Sequence, residues 1–369
     1  MIAQHLIGRL FLKRPQAMEK ERHPALCPER TGYEKYERID FPRILSSEEV
    51  YTKEYLIIAN KTCSQIYRNL PACPKQRTKD AKRCLKGIIL GDMYGAPFEF
   101  ARGVMPESSI SDVSLQEPGK WTDDSAMTIA SLRAAKEYKS KRIPDKQAIE
   151  LFKTRYREMA HQYPNLGYGG HFYNWAVFDM DSQRYISYGN GSAMRAGILG
   201  AASDDLKTCI RLSYLSALPT HAHPEGIKGA VCTAVLTYYA CHGADKKTLL
   251  EATKVFYPHG ARRPEDAEDY SFGYFAPDLQ EDEIRALYPK TLSVTCMETV
   301  PLAISIVLLS GTYLDFLKYL SVIPMDSDTV GAIGGGIMAA LDDTDLSAIP
   351  VRFRDAKNQP KEIIDLFTL

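Results

Sequence analysis

Residues 121–129 read WTDDSAMTI, and residues 324–336 read PMDSDTVGAIGGG. Each stretch places two carboxylates and a threonine hydroxyl within a few residues, just ahead of an apolar helical pattern. One such stretch is ordinary, because an acidic residue at a helix start caps free N–H groups and complements the dipole. Two in one chain are less ordinary. Thr122, Asp123 and Asp124, together with Asp326, Asp328 and Thr329, form a set of hard oxygen donors. Such donors suit magnesium, manganese or calcium and do not suit zinc. If both stretches converged without a cation the carboxylates would repel, and some would have to take up protons. A pair of divalent ions would relieve that crowding and could activate water.

Competing motifs fail on spacing. An EF-hand beginning at Asp326 would have Val330 at its fifth position and Ile337 at its twelfth, where a bidentate glutamate is required. The acidic LDDTDLS stretch around Asp342, Asp343 and Asp345 follows a helical pattern and reads as a solvated loop. No phosphate-binding Gly-x-x-x-x-Gly-Lys loop and no Gly-x-Ser-x-Gly elbow occurs. His221 and His223 in LPTHAHPEG have no further ligands to complete a zinc site.

Helices must position these groups. Apolar residues recur at helical spacing over 79–95, 125–140, 145–161, 191–201, 204–216, 224–241, 246–255, 280–287, 296–309, 312–320 and 329–341. Alternating strand patterns are scarce, so an all-α body of about a dozen helices is expected. Gly87, Gly91 and Gly95 lie four apart, as do Gly331, Gly335 and Ala339. Glycine inside a helix costs roughly 1 kcal/mol against alanine. Repeating it predicts two helices whose backbones approach closely, which would bring two helix starts near one another.

The chain has 369 residues, a formal net charge of zero, 45% hydrophobic and 25% charged residues. Neutrality argues against broad electrostatic binding to nucleic acid or an anionic membrane. No apolar run approaches the roughly 18 residues a membrane helix needs. The first residues lack the apolar core and small-residue end of a signal peptide. The eight cysteines are scattered, with no C-x-x-C, and Cys209, Cys232 and Cys296 fall in apolar helical patterns. Reduced core thiols and a cytoplasmic location are expected.

Residues 1–78 differ from the rest, being rich in Pro, Glu, Arg, Lys and Tyr. They read as an N-terminal extension, either a strap or a partner-binding arm, with a short helix within SSEEVYTKEYLIIANKTCSQIYRNL. Residues 79–369 read as one catalytic domain.

Taken in order, GIILGDMYGAPFEF, WTDDS, LGYGG (166–170), SYGNGSAMR (187–195) and DSDTVGAIGGGIMAA resemble the ADP-ribosylglycohydrolase family. The resemblance runs from about residue 79 to 342. It implies an orthogonal multi-helix bundle with a binuclear magnesium or manganese site. Thr122, Asp123, Asp124, Asp326, Asp328 and Thr329 match the metal ligands, Asp328 the bridging position. Glu99 matches a glutamate beside the metals; in the mechanism expected here Asp123 or Asp124 would serve as base, or Glu99 would assist. Gly189, Asn190, Gly191 and Ser192 match the loop that cradles the ADP-ribose phosphates. Gly169 belongs to the other substrate loop, and Tyr188 with His221 or His223 would flank the nucleotide.

The implied activity is removal of ADP-ribose from a modified protein side chain, arginine favoured over serine. Members with N-terminal extensions include immunity proteins against ADP-ribosyltransferase toxins, so a toxin partner for residues 1–78 is also expected. The alternatives are a toxin-binding protein with secondary catalysis and a two-metal phosphoesterase. The chain departs from the family pattern at Ser125, at Pro324–Met325 and at Gly197.

Overall fold

A computed structural model describes residues 64–100, 110–178, 187–257, 275–287, 293–323, 325–351 and 359–367. Among these described residues fourteen α-helices follow from Ala81 onward, after a helical turn at 64–69. Among the described residues there is no β-strand; an isolated antiparallel bridge joins Gly189 and Thr295. The all-helical expectation holds. Residues 1–63, including most of the short helix expected before residue 70, lie outside the described residues. So does Pro324.

The centre of the molecule is a pair of helices, α1 (Ala81–Gly95) and α13 (Ser327–Leu341). They run antiparallel in direct backbone contact. A Cβ added at Gly91 would fall 2.0 Å from the Gly331 carbonyl oxygen, and one at Gly95 would fall 2.2 Å from that of Ser327. At the other end a Cβ at Gly87 would meet the Gly335 carbonyl at 2.5 Å. Only hydrogen fits at these positions, which is why glycine recurs there despite its helix cost. Ser327 donates its hydroxyl hydrogen to Gly95 O at 2.9 Å, pinning one end of the pair, and Tyr313, from the helix that precedes α13, donates to Gly87 O at 2.6 Å.

Around this pair pack α2 (Asp123–Lys141), α3 (Asp145–Gln162), α4 (Gly170–Val177), α5 (Gly191–Met194), α6 (Gly197–Ala201), α7 (Leu206–Ala217), α8 (Pro224–Cys241), α9 (Lys246–Phe256), α10 (Glu281–Leu287), α11 (Cys296–Leu309), α12 (Tyr313–Leu320) and α14 (Lys361–Phe367). Caps set several starts. Asp80, Asp205 and Asp245 each accept the N–H three residues on, and Thr312 with Asp315 forms a reciprocal capping box. The α6–α8 crossing repeats the central device, since a Cβ at Gly200 would lie 1.9 Å from Ala234 O.

Two short helices, α4 and α14, were not expected, and the 191–201 pattern divides into α5 and α6 around Arg195–Ala196. Each of these helices is eight residues or shorter, too few turns to print a clear period. Cys209, Cys232 and Cys296 are buried free thiols in helices, as expected. Residues 64–78 lie against the body. Ile66 is fully buried, the Arg77 guanidinium donates to the carbonyls of Ala201 and Ser203, and Thr78 N–H donates to Cys241 O at 2.7 Å. No helix among the described residues is long and apolar enough to cross a membrane.

Candidate active site

Antiparallel packing carries the start of α13 to the end of α1, and the start of α2 arrives at the same place. The agent is Asp92, wholly buried within α1. Its carboxylate accepts from Thr122 N–H at 2.9 Å, Thr122 Oγ1 at 2.8 Å, Ser125 N–H at 3.1 Å and the Ser125 hydroxyl. Four donors from one helix start converge on one carboxylate. Asp92 therefore holds the α2 mouth in place, and Thr122 in turn caps α2 by accepting from Asp124 N–H at 3.2 Å. Sequence reasoning assigned no role to Asp92. The available signal was an acid inside the GIILGDMYG glycine helix, on a helix otherwise built to be buried.

Both acidic stretches meet here. Asp124 lies within hydrogen-bond reach of Thr329, and Asp326 is linked to Asp328. Glu99, at the exposed edge, brings a carboxylate oxygen within 4.8 Å of oxygens from Asp326 and Asp328. Glu99 is held there by the following turn. Phe100 adopts a left-handed backbone with φ 49°, and its N–H donates to Met325 O at 2.8 Å. A bulky residue at positive φ is rare outside strained functional turns. The sequence had suggested Glu99 only through the family resemblance.

Electrostatics follow from the crowding. Burial pushes Asp123, Asp124 and Asp328 well above the usual carboxylate range, and each is pushed further by neighbouring carboxylates. Asp326 is also raised by burial, against hydrogen bonds that pull it down. Glu99 rises to about 8 through loss of water around it and the charges of Asp326 and Asp92. Asp92 rises only to about 6, because its four donors offset part of the burial. Asp124 Oδ1 is buried without a hydrogen-bond partner among the described residues. An orphaned carboxylate oxygen in a ring of like charges is what a cation site needs, and the donors are all hard oxygens. The residues fit a divalent cation.

The substrate loops border this cluster. Asp123 N–H donates to Leu166 O at 3.0 Å, which ties the 166–170 loop to the α2 mouth. Gly167 sits at φ 97°, with its Cβ direction 3.6 Å from Asp123 Oδ1. Gly169 and Gly170 face open space. Tyr168 is buried and stacks on Phe172, and Trp121 packs edge-on against Tyr163, 5.2 Å between ring centres.

On the other side, Asn190 turns its carboxamide inward. Its amide donates to Asp326 Oδ2 at 2.8 Å and to Thr299 Oγ1 at 3.0 Å, so this loop is wired to the second acidic stretch. Gly189 N–H is engaged by Ser187 Oγ and Asn190 N–H by Val294 O. Ser192 Oγ donates to Gly226 O at 2.7 Å. The two histidines separate in role. His223 caps α8, accepting from Glu225 N–H at 3.1 Å, and packs edge-on against Tyr188 at 5.2 Å. His221 lies beneath the loop, its ring 3.2 Å from the Cβ direction of Gly191. Burial and nearby Arg195 hold His221 well below the usual histidine range.

The family model described as ADP-ribosylglycohydrolase matches residues 74–367. The ADP-ribosylhydrolase ARH3 of Gallus gallus is 30% identical over 46% of this chain and 52% of its own length. That of Xenopus tropicalis is 29% identical over 43% and 49%, and that of Homo sapiens 27% over 43% and 49%. The chain thus spans about half the length of the curated relatives it matches. A solved structure titled "ADP-ribosylglycohydrolase-related protein complex" superposes with a TM-score of 0.48 at 21% identity, over 73% of this chain and 89% of that one. With the family model matching most of its length, the chain belongs to the ADP-ribosylglycohydrolase family.

Proposed function

We propose that this protein hydrolyses the bond between C1″ of ADP-ribose and a modified protein side chain. The observation that carries the reading is the convergence of two acidic helix mouths and Glu99 beside a glycine-bearing loop wired to them through Asn190. Thr122, Asp123, Asp124, Asp326, Asp328 and Thr329 would hold two magnesium or manganese ions. Bound there, the ions supply neutralising charge for the crowded carboxylates and polarisation for ligand and water oxygens.

The chain's own groups do the rest. Asp123 or Asp124 takes a proton from the attacking water, with Glu99 assisting at the exposed edge. The C1″ bond to the side chain breaks as the water oxygen joins C1″, through an oxocarbenium-like state, and the proton passes to the departing side chain. Gly189, Asn190, Gly191 and Ser192 form the ledge for the phosphates, with Tyr188, His221 and His223 around the nucleotide and Gly169 leaving room for the substrate.

Arginine is the proposed linkage in preference to serine. Its support is the THAHPEG stretch, which resembles members acting on arginine, while SYGNGSAMR resembles members acting on serine. The proposed setting is immunity to an ADP-ribosyltransferase toxin, in the cytoplasm, with residues 1–78 as the partner-binding arm and 79–369 as the catalytic domain. Its support is the separate composition of the extension. Matched arginine- and serine-ADP-ribosylated peptides offered to the protein test the reading. Intact ADP-ribose as the product supports it. Cleavage within the pyrophosphate instead would move the assignment to a phosphoesterase.

A further inference from the structure

Arg195 closes the SYGNGSAMR stretch and is almost wholly enclosed. Its guanidinium carbon lies 4.0 Å above the centre of the Tyr156 ring. Through Nη2 it donates to Ser216 O at 3.1 Å and to Thr220 Oγ1 at 2.8 Å. Thr220 Oγ1 is also 2.7 Å from His221 Nδ1. A buried arginine, a threonine hydroxyl and the histidine under the substrate loop thus form one chain of contacts.

Placing the hydroxyl hydrogen favours one direction. A guanidinium only donates, so Thr220 Oγ1 accepts from Arg195. Thr220 has a single hydroxyl hydrogen, and among the described residues its one acceptor is His221 Nδ1. An Nδ1 that accepts carries no hydrogen, so the neutral ring carries its hydrogen on Nε2. A fixed positive charge two links away also opposes an imidazolium. The backbone holds the arrangement, because the N–H groups of Thr220 and His221 both donate to Ala217 O, at 3.2 and 2.7 Å. The Nε2 edge faces the loop. It lies 3.2 Å from the Cβ direction of Gly191 and 3.8 Å from that of Gly189. Any side chain at Gly191 would press on this ring edge.

We propose that Arg195 and Thr220 are positioning residues that lock His221 as the Nε2–H tautomer, presenting a neutral donor toward the Gly189–Gly191 loop and the oxygens of the ligand it receives. The identity of that ligand, ADP-ribose, rests on the proposed function, whereas the tautomer does not. Specificity follows, since a neutral donor at this edge suits phosphate or hydroxyl oxygens and offers nothing to a cationic group.

The test uses the full chain labelled with ¹⁵N-histidine. Long-range ¹⁵N–¹H correlation distinguishes the two tautomers and the charged ring, and His221→Gln identifies the signal among eight histidines. The wild type should show Nε2 protonated and Nδ1 bare. Thr220→Val removes the relay hydrogen and should redistribute the tautomer, and Thr220→Ser should restore it. Free ADP-ribose, titrated calorimetrically, should bind about tenfold more weakly to Thr220→Val and normally to Thr220→Ser, the loss expected for one hydrogen bond to a charged acceptor. Circular dichroism establishes that the variants are folded. A wild-type His221 protonated at Nδ1, or a Thr220→Val protein with unchanged tautomer, overturns the proposal. A correct, Thr220-dependent tautomer with no ADP-ribose binding in any variant leaves the relay standing and contradicts the proposed ligand.

Discussion

Gly91→Ala tests the helix crossing on which the site depends. Alanine is the better helix former by about 1 kcal/mol, so an isolated helix would gain from this change. In the folded chain the new methyl carbon would lie 2.0 Å from Gly331 O and 2.5 Å from Gly331 C, where ordinary contact begins at 3.4 Å. The obstacle is backbone, which cannot rotate away as a side chain can. The two helices would have to part by roughly an ångström, and overpacking of this kind costs about 1–3 kcal/mol or more. With rigid backbone on both sides the upper part of that range applies. The net expectation is a loss of about 2 kcal/mol, or about 3 °C in melting temperature for a chain of this size.

Gly336→Ala is the internal comparison. It carries the same propensity gain, but its close contacts are with the Ile88 side chain, nearest at 2.8 Å, while the nearest backbone atom, Cys84 O, is at an ordinary 3.9 Å. It should cost clearly less. Differential scanning calorimetry of the two variants and the wild type gives the answer. A Gly91→Ala protein as stable as the wild type, or as Gly336→Ala, would refute the close crossing and with it the reason both acidic mouths meet.

Other outcomes follow from the same geometry. Asp92→Asn keeps the shape but turns an amide toward backbone N–H groups that need acceptors, so it should cost about 2–3 kcal/mol; thermal melts with and without magnesium should show a lower midpoint and a smaller metal-induced rise. Gly167→Ala forces a Cβ onto a backbone at φ 97° and should cost about 1–2 kcal/mol by thermal melt. In chelator, carboxylates whose folded pKa is raised bind more protons folded than unfolded, so their stabilising contribution is present below about pH 4 and is lost as pH rises through the folded values. With Asp92 at about 6 and Glu99 at about 8, the chelated protein should melt higher at pH 5 than at pH 8; the reverse order would show that the carboxylates are not crowded. Deleting residues 1–40 should abolish a complex with a toxin partner and spare hydrolysis, as read by co-purification and by ADP-ribose release.

The long helices were legible because their periods are long. The span expected over 296–309 is that of α11, and the one over 224–241 is that of α8. The glycine spacing of four also announced the α1–α13 approach, since little else makes that residue type worth its cost in a buried helix. What the sequence did not show was partnership across the fold. Asp92 looks like a lone acid in a glycine helix until Thr122 and Ser125, some thirty residues on, turn out to be its donors. Asn190 reads as one member of a glycine loop, and its bond to Asp326 spans 136 positions. Pro224 marks His223 locally as a helix cap, but nothing local assigns a role to His221. One caps a helix and the other lies within hydrogen-bond distance of a threonine hydroxyl backed by Arg195, and that second contact exists only in the packed structure. Local physics prints periods and caps, whereas long-range hydrogen bonds appear only when the chain closes on itself.

The central claim is that the two acidic helix mouths form one divalent-cation site used for hydrolysis. Its most direct test is calorimetric titration of the chelated full-length protein with manganese, run beside ADP-ribose release from a modified peptide. The account predicts two ions bound per chain, release that appears only with them, and loss of both in Asp124→Ala and Asp328→Ala while the fold persists. Full release in chelator, or unchanged manganese binding in both variants, would contradict it.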